Sequence, residues 1–130
     1  MTNQELGQQG EALAAQFLLS RGYQLLAQNW RQPPAEADLV LFDRSTNQLI
    51  IVEVKSSRRG LDLLDPADGD EALLRRLTVQ KWRQLNHSGR QALVKWQQVR
   101  YRLDLVTVEL SLDQSPVIKH YPDCSTFFQA

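Results

Sequence analysis

Two opposite charges, Glu53 and Lys55, interrupt the apolar stretch "LIIVEVKSS" at residues 49–57. The β-branched residues around them predict a buried strand, and side chains alternate between the two faces of a strand. Glu53 and Lys55 are therefore expected on one face, with Val52 and Val54 on the other. A carboxylate here could bind a metal cation, and an ammonium group beside it could stabilise charge on a phosphoryl oxygen.

A second carboxylate, Asp38, lies at the matching position of the preceding strand. The stretches "ADLVLFD" and "QLIIVEVKS" are joined by turn-forming residues, 44–47, and predict a β-hairpin. A turn centred in this connection places Asp38 opposite Glu53. Two carboxylates about 5 Å apart across a ladder repel each other unless a cation or a proton lies between them. Oxygen ligands of this kind suit Mg²⁺ or Mn²⁺, so Asp38, Glu53 and Lys55 predict a phosphodiester hydrolysis site.

The E-x-K motif also has a plainer interpretation. Glu53 and Lys55 could form a salt bridge on the solvated face of an edge strand, and an isolated motif favours that structural role. The position of Asp38 across the hairpin favours the metal site instead. The same register places Glu36 opposite Lys55, where a structural salt bridge is the expected role.

Helices and further strands must hold these groups in place. Thr2 and Glu5 have the spacing of a capping box, and apolar or small residues follow at helical spacing towards Gly22. A second helix is predicted from Thr78 to about Gln97. Strands are predicted at 23–29, 37–43, 48–56 and 101–110, and "VIKHY" at 117–121 is a candidate for a fifth, so that one or two strands follow the second helix. This order predicts the α/β class, with a mixed central β-sheet flanked by helices.

Length and composition limit the architecture. The 130 residues, 42% of them hydrophobic, are enough for one domain over residues 1–130, with a mobile loop predicted at 57–71. The polar start and the short apolar runs indicate neither a signal peptide nor a membrane span, so we expect a cytoplasmic protein. Cys124 is the single cysteine, which excludes an internal disulfide, and it is expected to be an inert, partly buried thiol.

Charge is segregated along the chain, although 15 basic and 15 acidic residues cancel. Eight Lys or Arg and no acidic residue lie between residues 72 and 103, while five acids lie between 62 and 71. The basic helix region could neutralise phosphates or could be an ordinary solvated helix face. Lys81, near the start of that helix, could approach a scissile phosphate.

Several stretches follow a wider pattern. They are "GQQGEALAAQFLLSRGY", "AQNWR", "AEADLVLFD", "LIIVEVK", "TVQKWRQL" and "RYRLDLVTV". Asp38, followed after fourteen residues by "EVK", resembles the PD-(D/E)XK nuclease signature. The whole pattern, which covers most of residues 7–108, resembles the YraN-like family of small bacterial proteins, relatives of the archaeal Holliday-junction resolvases.

This resemblance implies a restriction-endonuclease-like fold. In that fold Asp38, Glu53 and the backbone carbonyl of Val54 bind Mg²⁺ or Mn²⁺, and Lys55 assists the attacking water. Glu11, on the first predicted helix, matches an additional acidic residue of the resolvase-like branch and is implied to be catalytic. Without the resemblance, the position of Glu11 at the border of the apolar stripe is more typical of an exposed surface glutamate.

Two positions depart from the family pattern. Ala35 and Ser57 stand where the family usually has glycine and arginine. The second departure concerns contacts to phosphate rather than metal binding. Nucleic-acid contacts are expected from Arg58 or Arg59, in place of the missing arginine, and from Lys81.

Together these features predict a metal-dependent endonuclease that acts on DNA, with branched or flap structures as candidate substrates. The alternative is a non-catalytic nucleic-acid-binding or interaction module on a nuclease-like fold. A third hypothesis is an assembly scaffold with no nucleic-acid role. The resolvase relatives act as dimers, so the resemblance also implies a homodimer.

Overall fold

The structure is a computed structural model that describes residues 1–58 and 78–124. Within these ranges the chain forms two helices and five strands. In chain order they are α1 (Asn3–Ser20), β1 (Gln24–Gln32), β2 (Ala35–Asp43), β3 (Gln48–Arg58), α2 (Val79–Lys95), β4 (Tyr101–Leu110) and β5 (Val117–Tyr121). The predicted bounds of β4 and β5 are confirmed.

The strands form one mixed sheet in the order β1-β2-β3-β4-β5. Strands β3 and β4 are parallel, and the other neighbouring pairs are antiparallel. A parallel pair needs a crossover connection, and α2 lies in the connection between β3 and β4. Helix α1 packs on one face of the sheet and α2 on the other. The predicted α/β class, with a restriction-endonuclease-like mixed sheet flanked by helices, is therefore confirmed.

Alternation along β3 divides the core into two layers. Leu49 and Ile51 pack on the α2 side, and Ile50 and Val52 pack on the α1 side. The α2 layer also includes Trp82, Leu85, Ala92, Leu103 and Leu105, and the α1 layer includes Leu6, Ala14, Leu18, Val106 and Val108. Each fully buried aliphatic side chain contributes about 1.5–3 kcal/mol, so β3 is firmly held from both sides. Glu53, two residues after Ile51, leaves the sheet on the α2 side.

The predicted hairpin register is confirmed between β2 and β3. Paired positions run from Asp43 and Gln48 to Leu39 and Val52. Beyond the last of these pairs, the amide of Val54 donates a hydrogen bond to the side chain of Asp38 at 2.8 Å. The Asp38 carboxylate thus accepts a hydrogen bond of the kind that a backbone carbonyl accepts within the ladder. This contact lies at the end of the ladder, where the candidate site begins.

Strand β1 is longer than the predicted strand at 23–29. It continues to Gln32, which pairs with Ala35, and the two prolines at 33–34 form the turn between β1 and β2. Proline has no backbone N–H group. At the two positions of this turn the ladder requires no hydrogen-bond donor, so the prolines fit there. The hairpin brings Arg31 opposite Glu36, which matters for the site.

The first two residues of the loop predicted at 57–71 belong to a strand instead. Ser57 and Arg58 belong to β3, where they pair with Glu109 and Leu110 of β4. Residues 59–71 lie outside the described residues. None of the described helices is both long and apolar enough to span a membrane.

Candidate metal-binding and catalytic site

The predicted pair of carboxylates comes together at the end of the β2–β3 ladder. The side chain of Asp38 is anchored by the Val54 amide, which lies between Glu53 and Lys55 in the chain. A backbone donor holds a carboxylate without using a mobile side chain, so the position of Asp38 is set by the sheet itself. The charge of Asp38 is close enough to Glu53 to raise the pKa of Glu53.

Glu53 is a buried carboxylate with incomplete hydrogen bonding. Its relative exposure is 5%, and within residues 1–58 and 78–124 its Oε2 atom has no hydrogen-bond partner. Burial and the nearby Asp38 raise the pKa of Glu53 above its ordinary value, while the charges of Lys81 and Lys55 oppose that shift. A buried acid with a perturbed pKa beside a second carboxylate is a typical functional-site candidate.

Two lysines from different elements approach the same carboxylate. Lys55 Nζ lies 3.4 Å from Glu53 Oε1, and Lys81 Nζ lies 3.5 Å from Glu53 Oε2. The Lys55 side chain is 50% exposed and the Lys81 side chain 27% exposed, so Lys55 is the more accessible to a substrate. The structure therefore places Lys81 beside the carboxylates as well as near the helix start.

The start of α2 explains the position of Lys81. The Thr78 hydroxyl accepts a hydrogen bond from the Lys81 amide at 3.0 Å and caps the helix. The predicted boundary at Thr78 is thus confirmed as the N-cap. Because the cap fixes the first turn, Lys81 projects from a rigid element rather than from a loop.

Helix α2 also holds the edge of β2. The Glu36 amide donates to Ser88 Oγ at 2.9 Å, and Gln84 Nε2 donates to the Glu36 carbonyl at 3.0 Å. With its backbone fixed in this way, Glu36 places its carboxylate 3.7 Å from Lys81 and 3.9 Å from Arg31. Glu36 does form a salt bridge, but with these two cations rather than with Lys55 as predicted, because its backbone is bound to α2.

Glu11 approaches the same carboxylates from α1. The helix is capped by Thr2, whose hydroxyl accepts from the Glu5 amide at 3.1 Å as predicted. Partial burial raises the pKa of Glu11 to about 7, and the neighbouring Asp38 and Glu53 add to the shift, whereas Arg31 opposes it. The structure therefore brings Glu11 to the site, and the interpretation of Glu11 as an isolated surface residue does not describe it.

The donors present fit a hard divalent cation. Asp38 and Glu53 offer carboxylate oxygens, and the Val54 carbonyl follows Glu53 in β3. Among the described residues Glu53 Oε2 accepts no hydrogen bond, although Lys81 Nζ lies 3.5 Å from it. The described residues contain no cluster of three or more His, Cys, Asp or Glu side chains that could hold a metal. A site here would therefore rely on two carboxylates, a carbonyl and water, the mixture that Mg²⁺ commonly uses.

The predicted nucleic-acid contacts separate in space. Arg58 Nη2 donates to the Met1 carbonyl at 3.3 Å and to Asn3 Oδ1 at 2.9 Å, which ties the end of β3 to the start of α1. Arg59 lies outside the described residues. Of the two described basic residues predicted to contact nucleic acid, Arg58 and Lys81, the structure brings Lys81 to the carboxylates.

Arg31 is a site residue that sequence reasoning did not single out. Its guanidinium lies against Glu36, and its charge influences the pKa of Glu11. The signal was present in the "PP" turn at residues 33–34, since a two-residue hairpin there places Arg31 opposite Glu36. The strand predicted at 23–29 ended too early to reveal that pairing.

The comparison with known proteins addresses the chain as a whole. A model of the "Uncharacterised protein family UPF0102" matches residues 10–108. The chain belongs to this family. The matched range includes all four residues predicted to be catalytic, which are Glu11, Asp38, Glu53 and Lys55. Because UPF0102 is the YraN family, the resemblance inferred from the sequence is confirmed at the family level.

Several UPF0102 proteins match over nearly their full length. The chain is 38% identical to a UPF0102 protein of Renibacterium salmoninarum, over 92% of this chain and 94% of the relative. It is 36% identical to one of Nocardia farcinica, over 90% and 86%. A third, from Lawsonia intracellularis, is 32% identical over 99% and 91%. The UPF0102 match therefore extends over most of the chain rather than over the E-x-K motif alone.

Proposed function

We propose that this UPF0102 protein is a metal-dependent endonuclease that hydrolyses DNA phosphodiester bonds. One observation carries the proposal, namely the buried, under-bonded Glu53 beside an Asp38 that the Val54 amide holds in place. A protein gains no stability from leaving a buried carboxylate short of partners. Such an arrangement is useful where a cation completes it.

Each residue of the site has a role that its environment supports. Asp38, Glu53 and the Val54 carbonyl would hold Mg²⁺ or Mn²⁺. When bound, the cation would supply a Lewis acid and an activated water for hydrolysis. The exposed ammonium group of Lys55 can donate hydrogen bonds to the attacking water or to a phosphoryl oxygen. The Glu11 carboxyl, with its pKa near 7, can hold or release a proton close to neutral pH.

The outer surface of α2 supports a nucleic-acid substrate. Arg83 and Arg90 are exposed on this helix, and no acidic residue occurs between residues 72 and 103. Lys81, at the start of the same helix, joins this basic face to the carboxylate site. Such a face can neutralise backbone phosphates and release their counterions. Branched or flap DNA follows from the resolvase resemblance and is part of the proposal.

Cleavage assays test the proposed activity directly. Purified protein with Mg²⁺ or Mn²⁺ is incubated with duplex, flap, gapped and four-way DNA. We expect cleavage of at least one substrate, with loss of activity on addition of chelator and in the variants Asp38→Ala and Glu53→Ala. Glu36→Gln is the matched control, because this nearby carboxylate is assigned to Arg31 and Lys81. Cleavage that survives both alanine substitutions would refute the assignment.

A second candidate function is a non-catalytic nucleic-acid-binding module on this fold. It is favoured by the ion pairs of Glu53, because Lys55 and Lys81 already oppose its charge without a metal. This function predicts DNA binding that falls steeply with salt, is indifferent to chelator and leads to no turnover. Gel-shift titrations with and without chelator distinguish the two functions.

The resolvase resemblance extends the proposal to the assembly state. We propose a homodimer, since the resolvase relatives act as dimers. Light scattering coupled to size-exclusion chromatography, with and without four-way DNA, measures the mass directly. A mass corresponding to one chain under both conditions would contradict the dimer.

A further inference from the structure

Helix α1 makes an unusually close approach to β3 beside the site. Gly10 is buried in α1, and a Cβ atom added there would overlap the Ser56 hydroxyl oxygen and lie 2.9 Å from Ser56 Cβ. Cβ atoms do not approach other atoms so closely, so a larger residue would push the helix or the strand away. Glycine is the residue that permits the observed separation.

The two residues in this contact are the direct neighbours of proposed site residues. Gly10 precedes Glu11 in α1, and Ser56 follows Lys55 in β3. Because side chains alternate along β3, Ser56 points towards α1 while Lys55 points to the other side. The separation of Gly10 and Ser56 therefore sets how close the α1 backbone at Glu11 comes to the carboxylates of the sheet.

Stability alone does not explain the presence of Gly10 or Ser56 at this contact. Glycine inside a helix destabilises it relative to alanine. The Ser56 hydroxyl oxygen is buried and finds no hydrogen-bond partner in the described part of the chain, which is also unfavourable. Two unfavourable features at one contact suggest that close approach itself is the selected property.

We propose that Gly10 is a positioning residue whose missing side chain brings Glu11 within reach of Asp38. The placement stands on the geometry of α1 and β3. Its catalytic consequence rests on the proposed nuclease function. Gly7, one turn earlier in α1, offers a matched control because a Cβ added there meets nothing within 4 Å.

The placement can be tested without any assay of activity. Glu11→Gln and Asp38→Asn, alone and combined, form a double-mutant cycle read from the urea midpoint of unfolding at pH 8 with chelator present. We expect the two carboxylates to be coupled in the wild-type background and in Gly7→Ala. In Gly10→Ala the coupling should be lost, because the displaced helix removes Glu11 from Asp38.

Cleavage kinetics test the catalytic consequence. We expect Gly10→Ala to lower kcat by about 100-fold, the order caused by a 1 Å misplacement, with KM little changed. Adding Glu11→Gln to Gly10→Ala should produce no further decrease, since both changes remove the same group. Gly7→Ala should cleave near the wild-type rate.

A rescue variant separates positioning from general damage. Ser56→Gly removes the two atoms that a Cβ at residue 10 would overlap and leaves Val108 Cβ at an ordinary contact distance of 3.7 Å. Gly10→Ala/Ser56→Gly should therefore recover both coupling and cleavage. If Gly10→Ala does not fold, this double variant is measured in its place, with Ser56→Gly as its control. Coupling retained in Gly10→Ala, lost in Gly7→Ala, or absent from a folded double variant would overturn the inference. A wild-type protein that is coupled but cuts no DNA would instead contradict the proposed function.

Discussion

Asp104 in β4 and Glu53 in β3 are both buried carboxylates, with relative exposures of 0% and 5%. Asp104 accepts hydrogen bonds from Arg102 Nε and Nη2 at 2.9 and 3.2 Å and from the Asp123 amide at 2.9 Å. His120 Nε2 lies 2.6 Å from its Oδ2 atom. Glu53, in contrast, has ammonium groups at 3.4 and 3.5 Å and one oxygen without a hydrogen bond among the described residues.

The difference shows that a buried charge does not by itself mark a functional site. Burial of an ion is tolerated when close donors compensate for the lost water, as they do around Asp104. Arg102 also donates to the Tyr23 hydroxyl at 2.9 Å, so this network joins β4 to the residue before β1 as well as to β5. Around Glu53 the compensation is incomplete. We therefore interpret Asp104 as a residue that stabilises the fold, and the incomplete compensation around Glu53 supports the functional role proposed for it.

Cys124 lies near Asp104, the carboxylate that close hydrogen-bond donors compensate. Its thiol is buried and donates to the Tyr121 carbonyl at 2.8 Å. Burial raises the pKa of Cys124 to about 11, and the nearby acids Asp104 and Asp123 add to that shift. The thiol therefore stays protonated near neutral pH, as expected for the inert cysteine predicted from the sequence.

The largest predicted effect is on the free energy of unfolding and concerns Asp104, the carboxylate interpreted as stabilising. Asp104→Ala should lower the free energy of unfolding by about 3–5 kcal/mol, because the largely buried Arg102 loses its nearer carboxylate, at 2.9 Å, and retains the more distant one of Asp43, at 3.7 Å. Urea unfolding at pH 7 with chelator measures the loss. Glu53→Ala, under the same conditions, should cost clearly less. Equal losses in the two variants would remove the distinction between the carboxylates.

Metal binding tests the role proposed for Glu53 as a ligand. At a Mn²⁺ concentration of 100 times the Kd, the wild-type protein should gain about 2.7 kcal/mol in free energy of unfolding. Asp38→Asn and Glu53→Gln should lose this gain, because each removes a proposed ligand. Glu36→Gln should keep it. Thermal unfolding with and without Mn²⁺ gives the comparison, and a gain that persists in Glu53→Gln would place the cation elsewhere.

The pH dependence of stability tests the shifted acid of the site. The folded protein holds the Glu11 proton more tightly than the unfolded chain, with a pKa of about 7 against an ordinary value of 4.5. Glu11 therefore makes stability fall as pH rises through this interval. Glu11→Gln should become more stable than the wild type above it, by on the order of 1 kcal/mol after screening of a partly exposed group.

Chelator-treated protein unfolded at several values between pH 4.5 and pH 8 provides this measurement. The advantage of Glu11→Gln should be smallest at the acidic end and level off above pH 7. An advantage that is constant with pH would mean that the Glu11 carboxyl does not titrate with a raised pKa.

The smallest predicted effect concerns the second lysine. Lys81→Met removes a cation that opposes the raised pKa of Glu53, so the ionised carboxylate becomes less favourable. The loss of stability should be under about 1 kcal/mol, because Lys81 is partly exposed, and should be greater at pH 8 than at pH 4.5. Arg90→Met, on the exposed face of the same helix, is the control. Identical pH profiles for the two variants would argue against an ion pair with Glu53.

Local sequence patterns predicted much of the architecture. Alternation in "YRLDLVTVEL" identified β4, and "VIKHY" was the candidate for β5. The capping spacing at Thr2 located the start of α1, and the apolar periodicity that follows Thr78 located the start of α2. The turn at residues 44–47 predicted the β2–β3 register, and this register brought Asp38 to Glu53. These features depend on neighbouring residues, so the sequence reveals them without knowledge of the whole fold.

Features that join distant segments were not predictable in this way. The partners of Glu36 depend on how α2 packs against β2, and Arg58 binds the start of α1 because that helix lies beside β3. The bond between Asp104 and His120 depends on the pairing of β4 with β5. Arg31 was not predicted to belong to the site, because the predicted strand ended at residue 29. Its pairing with Glu36 lies beyond that boundary.

The sequence by itself determined the α/β class, the hairpin that brings two carboxylates together just beyond its last pair, and the lysine beside them, because periodicity and turn chemistry are local. The tertiary structure decided which buried acid is compensated and which is not, and that Glu11 and Lys81 reach the same carboxylates from opposite faces of the sheet. Desolvation and long-range charge depend on packing between elements, and no local pattern records them.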